Sequence, residues 1–122
     1  MAEVEDPVVG KVRTFRDTWR GRAALCLLVG EGSGPQDEAV RIVGKPVRGG
    51  GFTVNWVISY DPGSGNARRA YEFLVREYGG DIRAMEVRSE TGIGFHQAMK
   101  DLGLVSVIEI DGTDDTPSRM SR

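Results

Sequence analysis

Between positions 23 and 29 the chain reads Ala-Ala-Leu-Cys-Leu-Leu-Val, an almost unbroken apolar run. That pattern predicts a strand buried on both faces. Residues 52–60, Phe-Thr-Val-Asn-Trp-Val-Ile-Ser-Tyr, are rich in β-branched and aromatic side chains and predict a second strand, bounded by glycines before it and Asp61-Pro62 after it. The period then changes. Ala67, Ala70, Tyr71, Leu74 and Tyr78 recur at helical spacing, with Arg68, Arg69, Glu72 and Glu77 mostly off the stripe. Gly79-Gly80 supplies the stop. Residues 82–87 predict another strand and residues 89–92 a turn. Residues 93–101 predict a short helix with Phe95, Ala98, Met99 and Leu102 on one face, ended by Gly103, and residues 104–110 a last strand.

The upstream half is less regular. Residues 8–15 alternate imperfectly and suggest a strand. Residues 16–22 are polar apart from Trp19 and read as a short helix or a loop. Residues 39–43 are strand-like, between turn-rich connections at 31–36 and 45–51. The expected fold class is α/β (α+β). Antiparallel N-terminal strands lead into strand, loop, helix, strand, helix, strand, forming one mixed twisted sheet. The βαβ crossover should make strands 52–60 and 82–87 parallel. Residues 8–111 form one domain on this reading, with a flexible tail at 1–7 and a disordered, polar tail at 112–122.

Composition narrows the function classes. The chain has 122 residues, the length of one ordinary domain, and its acids and bases are mixed to a net charge of −2. Bulk charge therefore gives no reason to expect nucleic acid or an anionic membrane as partner. No apolar run approaches the roughly 20 residues needed to span a bilayer, and the acidic N-terminus is not a signal peptide. The expected compartment is the cytoplasm. Cys26 is the one cysteine and sits inside the 23–29 apolar run, so it reads as a buried small hydrophobe. No second His or Cys stands at metal-ligand spacing from His96, the one histidine.

The segment with chemical potential is the turn before the first helix. The first amides of a helix lack intrahelical partners, and the helix dipole adds positive charge there. Gly63, Ser64, Gly65, Asn66 and Ala67 form that turn, and Arg68 and Arg69 occupy the first helical turn. Arginines there oppose the dipole unless an anion compensates them. Neither a Walker P-loop nor a Rossmann fingerprint is present.

Residues 62–67, Pro-Gly-Ser-Gly-Asn-Ala, together with Met85-Glu86-Val87 and with Phe95 to Leu104, give the second half of the chain a resemblance. It resembles the acyl-CoA-binding half of GNAT-family N-acyltransferases over about residues 52–110. Gly65 and Ala67 match the Gly-x-Ala end of the family's Arg/Gln-x-x-Gly-x-Gly/Ala loop, and Pro62 stands where Arg or Gln is usual. The resemblance implies acetyl-CoA, or another acyl-CoA, as cofactor and an amine as acceptor. Its cofactor-binding residues would be Ile58, Ser59 and Tyr60 at the strand end, then Gly63, Ser64, Gly65, Asn66, Ala67 and Arg68. The chemistry would be direct attack of the amine on the thioester. Two departures stand out. Met99 occupies the position where the family often has a proton-donating tyrosine. The two helices that usually shape the acceptor pocket have only residues 16–22 in their place, so that pocket would be small, open or completed by a second subunit of a homodimer. The alternative is a catalytically inactive GNAT-like module that binds CoA or a protein partner.

Candidate catalytic residues are His96, Glu86 and Tyr60. His96 reads first as a partly exposed helix histidine and second as a base for amine deprotonation. Glu86 and Tyr60, with Ser89, Glu90 and Asp61, read first as solvated or capping residues and second as lining of the opening between strands 52–60 and 82–87. Asn55 in a central strand needs hydrogen-bond partners, and would face either the cleft or simply the solvent side. Trp19 and Trp56 read as core.

Overall fold

The computed structural model describes residues 2–87 and 89–110, with Glu86 described by its backbone alone. Seven strands form one sheet in chain order: β1 Ala2–Asp6, β2 Gly10–Trp19, β3 Arg22–Val29, β4 Val40–Pro46, β5 Phe52–Ser59, β6 Ile82–Val87 and β7 Val107–Ile110. Helix α1, Asn66–Tyr78, joins β5 to β6, and α2, Glu90–Asp101, joins β6 to β7. Strands β1 to β5 pair antiparallel, and β5–β6 and β6–β7 pair parallel. The expected α+β mixed sheet is therefore present. Two right-handed crossovers that extend a sheet in one direction leave their helices on one face, and here Tyr71 of α1 meets Phe95 of α2 edge to face at 5.6 Å.

β3 shows how the sheet divides its side chains. Leu25, Leu27 and Val29 join the large core under the helices, while Ala24, Cys26 and Leu28 join a smaller cluster on the other face with Val43, Phe15 and Trp19. Both faces are apolar because both are covered, which is why this strand reads as a run and not an alternation. Burial raises the Cys26 thiol above its ordinary range, as expected of an inert core cysteine. Among the described residues no helix is long and apolar enough to cross a membrane.

Several expectations change. Residues 2–6, expected in a loose tail, pair with β2 from Ala2↔Thr14 to Asp6↔Gly10. Asp6 fixes the turn by accepting from the amides of Val8 (2.9 Å) and Val9 (3.0 Å), and it ties the hairpin to α1 through Arg76 (2.7 Å). Residues 16–22, expected as helix or loop, are the end of β2, a two-residue turn at Arg20 and Gly21, and the start of β3. Helix α2 begins at Glu90, three residues before the expected start, because the Ser89 hydroxyl caps it by accepting from the Gly92 amide at 2.9 Å. Its buried face carries His96 and Met99, whereas Ala98 and Leu102, expected on that face, are exposed. In α1, Phe73 is buried beside Ala70, Tyr71 and Leu74. The expected tail at 112–122 lies outside the described residues.

Candidate functional site

The site begins with one extra residue in β5. Val43 pairs with Trp56 and Gly44 with Val54, so Asn55 is a bulge. Gly44 is required opposite it, since a Cβ there would run into the carbonyl oxygen of Thr53 and the ring of Phe52. The bulge changes which way the strand's polar groups point. The Phe52 amide faces β6 and donates to Asp81 O (3.0 Å), while the Tyr60 amide faces β4 and donates to Ala39 O (2.9 Å). In a regular strand residues an even number apart face the same side. The inserted residue reverses that parity, so beyond it the amides and carbonyls of Val57 and Ser59 turn toward β6.

Among the described residues they meet no ladder there: β5 and β6 pair as Phe52↔Ile82, Thr53↔Arg83 and Val54↔Ala84. Beyond Val54 a hollow is lined by Asn55, Trp56 and Val57 of β5 and by Met85 and Val87 of β6, and β6 also breaks register with β7 between Ala84 and Val87. A gap thus opens at the C-terminal end of β5, lined along one edge by backbone hydrogen-bonding groups.

Next to the gap lies the start of α1. Gly65 adopts φ 82°, a left-handed conformation that favours glycine, and no side chain caps the helix. The turn is braced from outside. Asp61 accepts from the Ser33 hydroxyl (2.7 Å) and amide (3.1 Å), which hold its carboxyl below the usual range, and the Ser64 hydroxyl donates to Asp61 O at 2.6 Å. Arg69 folds back to donate to Ser64 O (3.0 Å) and Asn66 Oδ1 (2.5 Å). The first turn carries no acid. The amides of Ala67 and Arg68 have no intrahelical acceptor, so this end of α1 is electropositive.

Beneath the gap, His96 is 4% exposed and uses both ring nitrogens. Nδ1 lies 2.7 Å from Gly92 O, and Nε2 lies 2.6 Å from the Tyr71 hydroxyl. A carbonyl can only accept, so Nδ1 carries a proton. Burial favours the neutral ring, in which the Tyr71 hydroxyl donates to Nε2. Burial lowers its pKa and outweighs the opposing effect of the Gly92 carbonyl. Burial also pushes the Tyr71 hydroxyl far above its ordinary range.

Compared with known protein families, curated proteins and solved structures, the chain finds no match.

Two hollows meet at the gap. A groove of about 560 Å³ on the helix side runs from Val57, Ile58 and Ser59 past the turn before α1 to Phe95 and His96. A second hollow of about 390 Å³ runs from the same Val57, Ser89, Gly92 and His96 to Asn55, Trp56 and the β2–β3 turn. Of the residues expected at the cofactor, Ile58, Ser59, Gly63, Gly65, Ala67 and Arg68 line the groove, whereas Tyr60, Ser64 and Asn66 do not. The backbone edge facing the gap belongs to Val57 and Ser59, where Ile58 to Tyr60 were expected, because the bulge sets the parity.

Of the three candidate catalytic residues only His96 lies at the gap. It is buried, where partial exposure was expected, because its ring packs against Tyr71 of α1. Tyr60 lies near the Arg41 guanidinium, away from the groove. The Glu86 side chain lies outside the described residues. Asn55 lines the second hollow, as a strand asparagine facing a cleft would, and Trp56, expected in the core, is 37% exposed.

Sequence reasoning missed Tyr71 as a polar partner. It was legible only as part of an apolar stripe, and its hydroxyl gains meaning from α2. Glu38 was also missed. It is fully buried beside Arg41, with Arg41 Nε donating at 2.7 Å and the Gln36 amide at 2.8 Å. Burial alone would raise its carboxyl, but the amides of Glu38 and Gln36 and the Arg41 guanidinium hold it below the ordinary range. The i, i+3 spacing of Glu38 and Arg41 was the available signal. The pair pins the β3–β4 connection and lies away from the gap.

Proposed function

We propose that the chain binds an acyl-CoA, acetyl-CoA in the first instance, and passes its acyl group directly to an amine. One observation carries this reading. A hollow opens between β5 and β6 beside an uncapped helix start, and a groove of about 560 Å³ connects the two. The Ala67 and Arg68 amides, with the Arg68 guanidinium, would hold a pyrophosphate. The Val57 and Ser59 backbone would hold an amide-bearing arm as an added strand. When bound, the thioester supplies an acyl group that an uncharged amine can take: the C–N bond forms as the C–S bond breaks, and the amine's proton ends on the departing sulfur. The Val57 amide is suited to stabilise the carbonyl oxygen as it gains charge. His96 has no free nitrogen and is not the base; it fixes α2 against α1 along the groove floor.

A second reading is a catalytically silent module of the same binding chemistry. Met99 favours it, since this residue is 5% exposed in the core and can give no proton to sulfur. Calorimetric titration of acetyl-CoA and of free CoA tests the binding step. Micromolar affinity is expected. Gly65→Glu should abolish it but adds strain at a positive φ, so Arg68→Glu, at a side chain 53% exposed, serves as the unstrained variant. A folded wild type that ignores millimolar acetyl-CoA would sink both readings. Binding without thiol release across an amine panel would favour the silent module.

A further inference from the structure

A third hollow, about 680 Å³, lies beyond the second, between the β2–β3 turn and the strands β4 and β5. Its walls include Arg20, Arg22 and Lys45 and, among the described residues, one acid, Glu109, with Thr53 and Asn55 of β5 lining it as well. Arg20 has an interaction of its own, so the positive charge left for a ligand is that of Arg22 and Lys45, in a chain whose net charge is −2. Lys11, Arg41, Arg68, Arg76 and Arg83 each meet a carboxylate, whereas among the described residues Arg16, Arg48 and Lys100 stand singly and not together in one hollow. Arg22 and Lys45 are exposed and form no ion pair among the described residues. The basic recess shares Trp19, Arg20 and Asn55 with the second hollow, which in turn shares Val57, Ser89, Gly92 and His96 with the groove at α1. The three therefore form a continuous series of hollows past the β5–β6 gap.

We propose that the basic recess holds the far end of the acceptor, and that the acceptor is an acidic peptide segment whose terminal amine reaches the gap. The inference rests on the acyl-transfer reading for what happens at the gap. Length selects a peptide. Thr53 in the recess and Val57 at the gap are separated by about 10–13 Å along a bulged strand. A small amino acid cannot span that distance, whereas an extended peptide covers it in three or four residues at about 3.3–3.6 Å each. Charge selects acidic side chains at the far end, facing Arg22 and Lys45. Glu109 makes the wall mixed in sign, which suits a segment carrying one or two carboxylates better than the continuous negative charge of a polyphosphate or nucleic-acid strand.

The test uses three C-terminally amidated tetrapeptides, Ala-Ala-Glu-Glu, Ala-Ala-Gln-Gln and Ala-Ala-Lys-Lys. Each is titrated into the full chain without cofactor, then assayed for thiol release with acetyl-CoA. The acidic peptide should bind about tenfold more tightly than the basic one, a preference that shrinks as salt rises. The double variant Arg22→Glu/Lys45→Glu should lose it. Arg16→Glu/Lys100→Glu changes net charge equally away from the recess and should keep it. Acetyl-CoA turnover with no preference among the peptides, or a preference that survives the recess variant, would overturn the recess assignment and leave acyl transfer standing. Recess-dependent binding of the acidic peptide by a chain that ignores acetyl-CoA would overturn acyl transfer while supporting a peptide site. Tighter binding of single-stranded DNA than of the acidic peptide would overturn the peptide assignment.

Discussion

Replacing Tyr71 with Phe removes one hydroxyl from the contact between α1 and α2 and leaves the ring. The ring's packing against Phe95, 5.6 Å between centroids, is preserved. What changes is His96, whose Nε2 loses its donor at 2.6 Å while Nδ1 stays bound to Gly92 O. The ring cannot switch tautomer without giving up that second bond. A buried acceptor left without a donor costs about 1–3 kcal/mol, which in a domain of this size lowers Tm by about 3–5 °C per kcal/mol. A second consequence concerns pH. In the wild type the folded pKa of His96 lies below its ordinary value of 6.5. The unfolded chain therefore takes up the proton first. Stability is full above about pH 6.5 and falls as the pH drops toward the folded pKa, by at most about 1.4 kcal/mol per pH unit. The Tyr71 hydroxyl favours the neutral ring, so its loss raises the folded pKa and shallows that fall. The chain has one histidine, so its NMR signals report tautomer and titration without overlap. Urea denaturation at pH 7.5 and pH 5, alongside that titration, gives both quantities. A variant within about 0.5 kcal/mol of wild type, with an unshifted histidine titration, would show that the hydroxyl and the ring are not bonded as described.

Glu38→Ala strands Arg41 and the Gln36 amide, and should cost about 2–4 kcal/mol in urea denaturation, below the full buried-pair figure because the Arg41 side chain is 23% exposed. Because Glu38 is held below the ordinary carboxylate range, its contribution is complete above the unfolded pKa and lost as the pH falls through the folded one. The gap between wild type and Glu38→Gln should therefore close on acidification; a gap that stays constant down to pH 2.5 would contradict the pairing. Ser89→Ala removes the cap of α2 and should cost about 1 kcal/mol, with faster hydrogen exchange at the Gly92 amide as its local signature.

The glycine turn before α1 was legible in residues 62–67, and a groove runs past it. Legibility ends where a residue's role depends on distant chain. β1 carries no apolar alternation because Ala2, Glu3, Val4 and Glu5 are all exposed. Its order comes from pairing with β2 and from Asp6, which grips its own turn and an arginine 70 residues away. Trp19 and Trp56 read as core by type. One is half-buried and the other exposed, because among the described residues no helix packs on the face they share, which is covered by side chains alone.

By itself the sequence determined the apolar run of β3, the β5–α1–β6 crossover and its parallel sense, and the glycine turn at the head of α1. These depend on periods of 2 and 3.6 and on backbone needs that glycine meets within a few residues. Only the tertiary structure decided the bulge at Asn55, the parity it gives Val57 and Ser59, the gap beyond Val54, and the neutral His96 under Tyr71. Each of these is set by which backbone or side chain lies opposite, and that partner comes from another strand or helix whose position local sequence does not encode.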